Sequence, residues 1–365
     1  MILKLALALL FGAFGLSAIL TALVRKLSIK RDFVARPAAD RYHRSVIPLG
    51  GGIAITWTIL IFLVSAVGAV KFLLVPGHLD FLGDSITVHA EGFLSKLAPL
   101  VVIIACTLVL HVVGLWDDKK HLGAFTKLFF QFAVAIAAAV FGDIRVEFFI
   151  DNQIITTALS VVWIVMIMNS FNFLDNMDGL SAGIAVIATS VLFFAAVLSG
   201  QFFIGAISLI FIGSVMGFLV FNFPPANIFM GDCGSLVIGF FVALITLKTT
   251  YFQQEGSGQV YAVFMPLIVM AVPLYDFISV TIIRLLQGKS PFVGDTQHFS
   301  HRMKRRGLTD RQTALTLYLA TLCTGVSAIF LLQVDLFGAI LVFGQTLMIL
   351  TIIAIMEMTS KTDIE

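Results

Sequence analysis

Long apolar runs separated by short polar breaks extend over almost the whole chain. A helix needs roughly 20 predominantly apolar residues to cross the hydrocarbon core of a bilayer. By this measure the pattern predicts eleven membrane-spanning helices, with the weakest boundaries between residues 155 and 222, where the polar breaks are short. The predicted spans cover residues 2–24, 49–70, 97–115, 124–142, 155–172, 179–199, 202–221, 233–250, 260–284, 312–332 and 336–356.

Composition agrees with this pattern. Of the 365 residues 59% are apolar and 12% are charged, and the mean hydropathy is +1.04. Soluble domains carry about 25% charged residues. We therefore predict an all-α polytopic membrane protein that forms a single integral membrane domain over residues 1–365. Its three cysteines, Cys106, Cys233 and Cys323, have no spacing that indicates a disulfide framework or a zinc site.

The distribution of Lys and Arg predicts the orientation. The loops 25–48 and 284–311 contain seven Lys or Arg residues each, and the break after the third span adds Lys119 and Lys120. With eleven spans these segments lie on one side, which the positive-inside rule assigns to the cytoplasm. The amino terminus is then outside and the carboxyl terminus is cytoplasmic. The same threading predicts cytoplasmic active-site loops at about 25–48, 116–123, 172–179, 222–232 and 285–311.

Two neighbouring carboxylates, Asp117 and Asp118, follow the third predicted span in GLWDDKKHLG. Adjacent carboxylates repel, so one holds its proton more tightly unless a divalent cation or a lysine keeps both ionised. A solvated helix end is the alternative interpretation of this motif.

The segment NSFNFLDNMDGLSAG, residues 169–183, carries polar side chains at helical spacing. Asn169, Asn172, Asp175 and Asn176 are predicted to share one face at the end of the fifth span. Amides and carboxylates in an apolar helix are costly unless they face a cavity or a partner. Asp178 is also a candidate for the cap of the next helix.

A third acidic break, NFPPANIFMGDCGS, covers residues 222–235 and is bent by Pro224 and Pro225. It places Asp232 at a helix start, where free N–H groups favour anions or a capping carboxylate. An aspartate beside a diphosphate can also hold Mg²⁺. Asp232 is therefore predicted to be a metal ligand, a helix cap or both.

Two basic segments complete the candidate chemistry. His298, His301 and Arg302 occur in the loop 284–311, where imidazoles and cations near an acidic metal site suit diphosphate binding. A positive-inside loop explains the Arg and Lys residues but not the two histidines. Arg41 and His43 precede the second span and are candidate phosphate contacts.

Together these segments resemble the polyprenyl-phosphate N-acetylhexosamine-1-phosphate transferases. The matching segments, in the order found in that family from about residue 41 to 302, are RYHRSVIPLGGG, GLWDDKKH, NSFNFLDNMDGLSAG, NFPPANIFMGDCGS and GKSPFVGDTQHFSHR. The predicted number of eleven spans resembles that of the undecaprenyl-phosphate GlcNAc-1-phosphate transferase branch, whereas members of the muramoyl branch typically have ten.

The resemblance implies a reaction and its participants. A polyprenyl phosphate in the cytoplasmic (inner) membrane attacks a UDP-N-acetylhexosamine, which releases UMP and starts a lipid-linked cell-surface glycan, such as a lipopolysaccharide or a teichoic acid. The implied cofactor is Mg²⁺, with Mn²⁺ as the alternative ion, at an active site on the cytoplasmic face. The sequence gives no indication of a nucleic-acid partner and is compatible with a homodimer.

The resemblance also implies a role for each matching residue. Asp232 is the implied metal ligand, Asp117 and Asp118 deprotonate or orient the lipid phosphate, and a covalent step through one of them stays open. Asp175 and Asn172 line the catalytic cleft. The other implied contacts are Asn176, Met177, Asp178 and Phe229 for the nucleotide, Asn222 for the cleft, Lys127 for phosphate, and His298, His301 and Arg302 for the sugar-phosphate.

The last loop departs from the family pattern. It reads HFSH, with Ser300 where the GlcNAc branch has a histidine, and it lacks the three consecutive histidines of the muramoyl branch. It therefore favours a UDP-GlcNAc-like donor and leaves the hexosamine open. The alternatives are a phospho-N-acetylmuramoyl-pentapeptide transferase and an ion-coupled transporter. Against a transporter, the polar groups cluster at one predicted face and no inverted repeat is evident.

Overall fold

The computed structural model describes residues 2–36, 46–74, 76, 96–146, 150–249, 260–289 and 298–358. Most of these residues are helical, which confirms the predicted all-α polytopic class. The helices are α1 Ile2–Lys30, α2 Gly51–Ala69, α3 Leu97–Lys120, α4 Ala124–Phe141, α5 Gln153–Leu174, α6 Leu180–Leu198, α7 Phe202–Asn222, α8 Asp232–Lys248, α9 Met265–Val269, α10 Ala271–Leu286, α11 Phe299–Arg305, α12 Asp310–Phe330 and α13 Leu336–Met358. A π-helical turn, Val70–Leu74, extends α2, and a 3₁₀ turn, Val260–Phe264, precedes α9.

Every predicted span has a helical counterpart, but two differ from a regular crossing. Among the described residues nine helices are long and apolar enough to cross a membrane, and α8 is shorter, at 17 residues. The predicted span 260–284 is broken, because the segments Tyr261–Val269 and Ala271–Leu286 meet at 66°. Pro273 lacks an N–H and cannot donate to the carbonyl of Val269, which favours a new helix axis at this point. The number of crossings and their orientation stay predictions.

Helix α8 is the centre of the bundle. Every residue from Cys233 to Thr246 is buried, and it packs against α2, α3, α5 and α6. A helix that is apolar on all sides is typical of a buried core or a membrane span, and here other helices surround it. The position of Asp232, the first residue of α8, is therefore determined by several surrounding helices.

Glycines allow the neighbouring helices to approach α8 closely. A Cβ atom on Gly52 of α2 would lie 2.2 Å from the backbone nitrogen of Gly234, and one on Gly114 of α3 would lie 2.4 Å from the Cα of Cys233. Small residues at helix crossings bring membrane helices into van der Waals contact. Both contacts occur at the start of α8, so they set the distance between α2, α3 and the acidic break.

A short antiparallel pairing holds the segment before α8. Strand β1, Val34–Ala35, pairs with β2, Ile47–Pro48, with Val34 opposite Pro48. The carbonyl of Pro48 accepts a 2.8 Å hydrogen bond from the Phe229 N–H, and the Phe229 carbonyl accepts one of 2.9 Å from Gly51. The segment 223–231 is thereby fixed to the start of α2.

We expect Gly239→Ala to lower the thermal unfolding temperature of the protein in detergent. The new methyl group would lie 2.6 Å from the Cα of Met168 in α5, and overpacking of this kind costs about 1–3 kcal/mol. The matched control is Gly344→Ala in α13, where nothing lies within 4 Å of the added carbon. Equal unfolding temperatures for the two variants would contradict this close packing.

Candidate active site

The three acidic breaks of the sequence meet at one end of the bundle. Asp117 and Asp118 lie in the last turn of α3, Asp175 follows α5 directly, and Asp232 begins α8. Since α3 and α5 end where α8 begins, carboxylates that are far apart in the sequence become neighbours.

Asp118 caps the start of α8 from a different helix. Its Oδ1 accepts a 2.7 Å hydrogen bond from the Asp232 N–H, and its Oδ2 accepts one of 3.2 Å from Cys233. The first N–H groups of a helix have no partner within that helix, so a carboxylate there is stabilising. The intervening Gly231 has φ 76°, and a Cβ atom on it would lie 2.6 Å from Asp118 Oδ2. Capping of α8 is thus performed by Asp118 and not by the side chain of Asp232.

A lysine lies between two of the other carboxylates. Lys127 Nζ of α4 is 2.7 Å from Asp117 Oδ2 and also contacts Asp232 Oδ2. The remaining oxygen of Asp232 accepts a 2.9 Å hydrogen bond from Asn172 Nδ2. These four side chains form what we call the charged cluster: Asp117, Lys127, Asn172 and Asp232.

Asp175 adds a further carboxyl group near this cluster. Burial raises its pKa well above the usual range, and the charges of Asp232, Asp118 and Asp178 raise it further, while a backbone hydrogen bond with Gly231 acts in the opposite direction. Several acids at one place disfavour full ionisation unless a cation compensates them. Lys127 supplies one such charge.

The oxygen donors of these side chains suit a Mg²⁺ ion that is shared with substrate phosphates. Carboxylate and amide oxygens are hard donors, which this ion prefers. No group of three His, Cys, Asp or Glu residues that could hold a metal occurs within the described part of the chain. Mg²⁺ is usually bound by one or two carboxylates together with substrate phosphates. The donor set therefore fits a metal shared with a diphosphate better than a metal held by protein alone.

Two predicted site residues hold the segment 223–231 in place. Asp178 Oδ2 accepts a 2.8 Å hydrogen bond from the Ala226 N–H. Asn222 is buried, accepts one of 3.0 Å from the Gly179 N–H and donates one of 2.9 Å to the Ile228 carbonyl. These contacts shape the loop that leads to Asp232.

Of the other predicted nucleotide contacts, Phe229 belongs to that loop, and Asn176 and Met177 follow the end of α5. Met177 is buried at 9% exposure, Phe229 is half-buried, and Asn176 accepts a 2.7 Å hydrogen bond from the Ser300 hydroxyl. This last contact joins the end of α5 to α11. Their roles in nucleotide binding stay predictions.

Helix α11 and its N-cap residue, His298, carry the predicted sugar-phosphate residues. His298 Nδ1 is 2.9 Å from Asp276 Oδ2, and Arg302 forms a 2.7 Å ion pair with Glu357. The His298 ring meets the ring of Phe173 at 5.2 Å between centroids. Burial lowers the pKa of His301 to about 4, with smaller contributions in the same direction from His298, Lys304 and Arg305. His301 is therefore neutral near pH 7.

Sequence reasoning missed the partners of α11. Asp276 of α10 contacts His298 and Glu357 of α13 pairs with Arg302, and both acids are at most 8% exposed. An ionisable residue inside an apolar run is a functional candidate by default, which is the signal that identifies them. The predicted phosphate contacts Arg41 and His43 lie outside the described residues.

Comparison with known proteins gives a consistent assignment. The family model described as glycosyl transferase family 4 matches residues 100–250, which include the charged cluster. The probable undecaprenyl-phosphate N-acetylglucosaminyl 1-phosphate transferase of Bacillus subtilis is 29% identical over 344 residues, covering 92% of this chain and 87% of the relative.

Two further relatives have similar names. The decaprenyl-phosphate N-acetylglucosaminephosphotransferase of Mycobacterium tuberculosis H37Rv is 29% identical over 82% of this chain and 76% of its own length. The undecaprenyl-phosphate alpha-N-acetylglucosaminyl 1-phosphate transferase of Escherichia coli K12 is 27% identical over 85% of this chain and 80% of its own length. These similarities support the resemblance found in the sequence motifs. Residues 100–250 match the model of glycosyl transferase family 4, and most of the chain is similar to polyprenyl-phosphate N-acetylglucosamine-1-phosphate transferases.

Proposed function

We propose that this protein transfers GlcNAc-1-phosphate from UDP-GlcNAc to a polyprenyl phosphate. The observation that carries the proposal is the charged cluster at the polar end of an apolar bundle, where a lysine and acidic groups are placed for phosphate chemistry. The names of relatives that match most of the chain support GlcNAc-1-phosphate as the transferred group and a polyprenyl phosphate as the acceptor. UDP as the carrier of the sugar rests on the resemblance of the sequence motifs.

The proposed reaction is a phosphoryl transfer without net oxidation or reduction. A phosphate oxygen of the polyprenyl phosphate attacks the β-phosphorus of the donor. The bond between that phosphorus and the bridging oxygen breaks, and UMP leaves with the electron pair. The lipid product is a polyprenyl-diphospho-GlcNAc. Positioning and electrostatic stabilisation dominate catalysis in such reactions.

The contacts divide the work among the acidic residues. Both oxygens of Asp118 accept hydrogen bonds from backbone N–H groups of α8, so we assign Asp118 a structural role in joining α3 to the start of α8. Asp117 pairs with Lys127 and is the member of the acidic pair that we assign to the lipid phosphate. Lys127 supplies a positive charge for the phosphate oxygens, as fixed cations do in phosphoryl transfer.

We assign metal binding to Asp232. Asp117 lies nearby, because both carboxylates contact Lys127 Nζ. When bound, Mg²⁺ would neutralise charge on the diphosphate and so assist departure of UMP. Asn172 orients the Asp232 carboxylate through its 2.9 Å hydrogen bond. The excess of Lys and Arg in the loops near this end supports a cytoplasmic position in the inner membrane, which is where a nucleotide sugar is available.

The first prediction from the proposed function concerns the reaction itself. Purified full-length protein in detergent should release UMP from UDP-GlcNAc only when undecaprenyl phosphate is present, as measured by chromatography of the nucleotide. UDP-MurNAc-pentapeptide in place of UDP-GlcNAc tests the muramoyl alternative. Absence of UMP with every UDP-sugar would refute the proposed enzyme.

A second prediction concerns Lys127. We expect Lys127→Gln to reduce kcat/KM about 100-fold, because one positive charge directed at the phosphates is lost. The matched control is Lys119→Gln at an exposed position at the end of α3, which should retain activity. A Lys127→Gln protein that turns over like the control would remove Lys127 from the mechanism.

A third prediction concerns the metal. Removing divalent cations with EDTA should abolish UMP release, and added Mg²⁺ or Mn²⁺ should restore it. Asp232→Asn should reduce turnover about 100-fold or more at saturating Mg²⁺. The control is Asp143→Asn, since Asp143 pairs with Lys248 at the other end of α8. Full activity of Asp232→Asn would assign the metal to other residues.

A further inference from the structure

Asp276 in α10 is a fully buried acid that the proposed reaction does not use. Its exposure is 0%. Its Oδ1 accepts a 2.9 Å hydrogen bond from the Phe299 N–H, and its Oδ2 lies 2.9 Å from His298 Nδ1. A buried carboxylate is very costly unless it is hydrogen-bonded. Both oxygens are therefore committed to the start of α11.

This contact determines which nitrogen of His298 carries a proton. A carboxylate oxygen can only accept a hydrogen bond, so Nδ1 must be the donor. In the neutral imidazole the other nitrogen, Nε2, is then an acceptor. Asp276 thus fixes the tautomer as well as the position of the ring.

The same ring is anchored next to the end of α5. Phe173, which follows Asn172, meets the His298 ring at 5.2 Å and lies under the Arg284 guanidinium at 5.1 Å. The Ser300 hydroxyl donates a 2.7 Å hydrogen bond to Asn176 Oδ1. Two further contacts therefore fix α11 against the segment that carries Asn172 and Asp175.

Resting on the proposed function, we propose that Asp276 is a positioning residue that holds His298 in the Nδ1–H tautomer, so that Nε2 accepts a hydrogen bond from a hydroxyl or amide N–H of the donor sugar. This role affects recognition of the nucleotide sugar and not of the lipid phosphate. It is distinct from a purely structural role, in which Asp276 only joins α10 to α11.

The variant Asp276→Asn separates the two roles. The Phe299 N–H still requires an acceptor, so the amide oxygen takes that place and the amide NH₂ faces Nδ1. Nδ1 must then accept, and the proton moves to Nε2, which becomes a donor. We expect the KM for UDP-GlcNAc to rise about tenfold, as expected when a hydrogen bond to the donor is lost. The kcat and the KM for undecaprenyl phosphate should stay within about threefold of the native values, which is less than the typical effect of losing one hydrogen bond.

A second variant deletes the acceptor and keeps the packing. In His298→Asn the side-chain amide NH₂ takes the position of Nδ1–H and can still donate to Asp276, but no atom replaces Nε2. We expect the same rise in KM with little change in unfolding temperature. The double variant should show no further rise, because both changes remove one interaction. The control is Asp335→Asn, where an exposed carboxylate caps α13 by accepting from Gly338 at 2.9 Å.

The tautomer is measured directly by nitrogen NMR of the full-length protein labelled at histidine, with the His298 signal identified by its loss in His298→Asn. Protonated Nδ1 in the native protein and protonated Nε2 in Asp276→Asn are expected. An unchanged tautomer, an unchanged KM, or equal rises in both KM values with a lower unfolding temperature would overturn the proposal. A native protein without turnover would refute the proposed function alone, since the NMR result decides the role of Asp276 independently of turnover.

Discussion

The site depends on how the beginning of α8 is stabilised inside the bundle. This helix is enclosed on all sides, so its first N–H groups need partners within the protein. Asp118 supplies them from α3, with hydrogen bonds of 2.7 and 3.2 Å. The adjacent Asp232 is then brought beside Lys127, which compensates its charge. A structural requirement and a chemical arrangement are therefore met by the same few residues.

This arrangement is available only because the helices approach one another closely. Gly52 and Gly114 place α2 and α3 against the backbone of α8, at distances that a Cβ atom would prevent. The Asp118 carboxylate can then reach the N–H groups of a different helix. Apolar helices gain little from the hydrophobic effect when they leave lipid to pack against one another. Close packing and interhelical hydrogen bonds therefore determine much of which helices associate and in what arrangement.

On the basic side of the site, too, acidic side chains of some helices hold residues of another helix in place. Asp276 of α10 holds His298 at the N-cap of α11, and Glu357 of α13 holds Arg302 within that helix. The contact between Ser300 and Asn176 joins this layer to the end of α5. Acidic groups and cations thus lie at one end of the bundle on separately fixed elements, which suits a reaction between two anionic phosphates.

The sequence by itself determined the class of protein, the positions of the helices along the chain and most of the candidate site residues. The lengths of apolar runs and the order of motifs can be recognised without knowing how the helices pack. Only the tertiary structure decided that Asp118 caps α8, that Asn222 holds a loop, and that the span 260–284 is bent by 66°. It also revealed Asp276 as the partner of His298, 22 residues away. Hydrogen-bond partners across helices follow from packing geometry, and the order of residues along a chain does not specify that geometry.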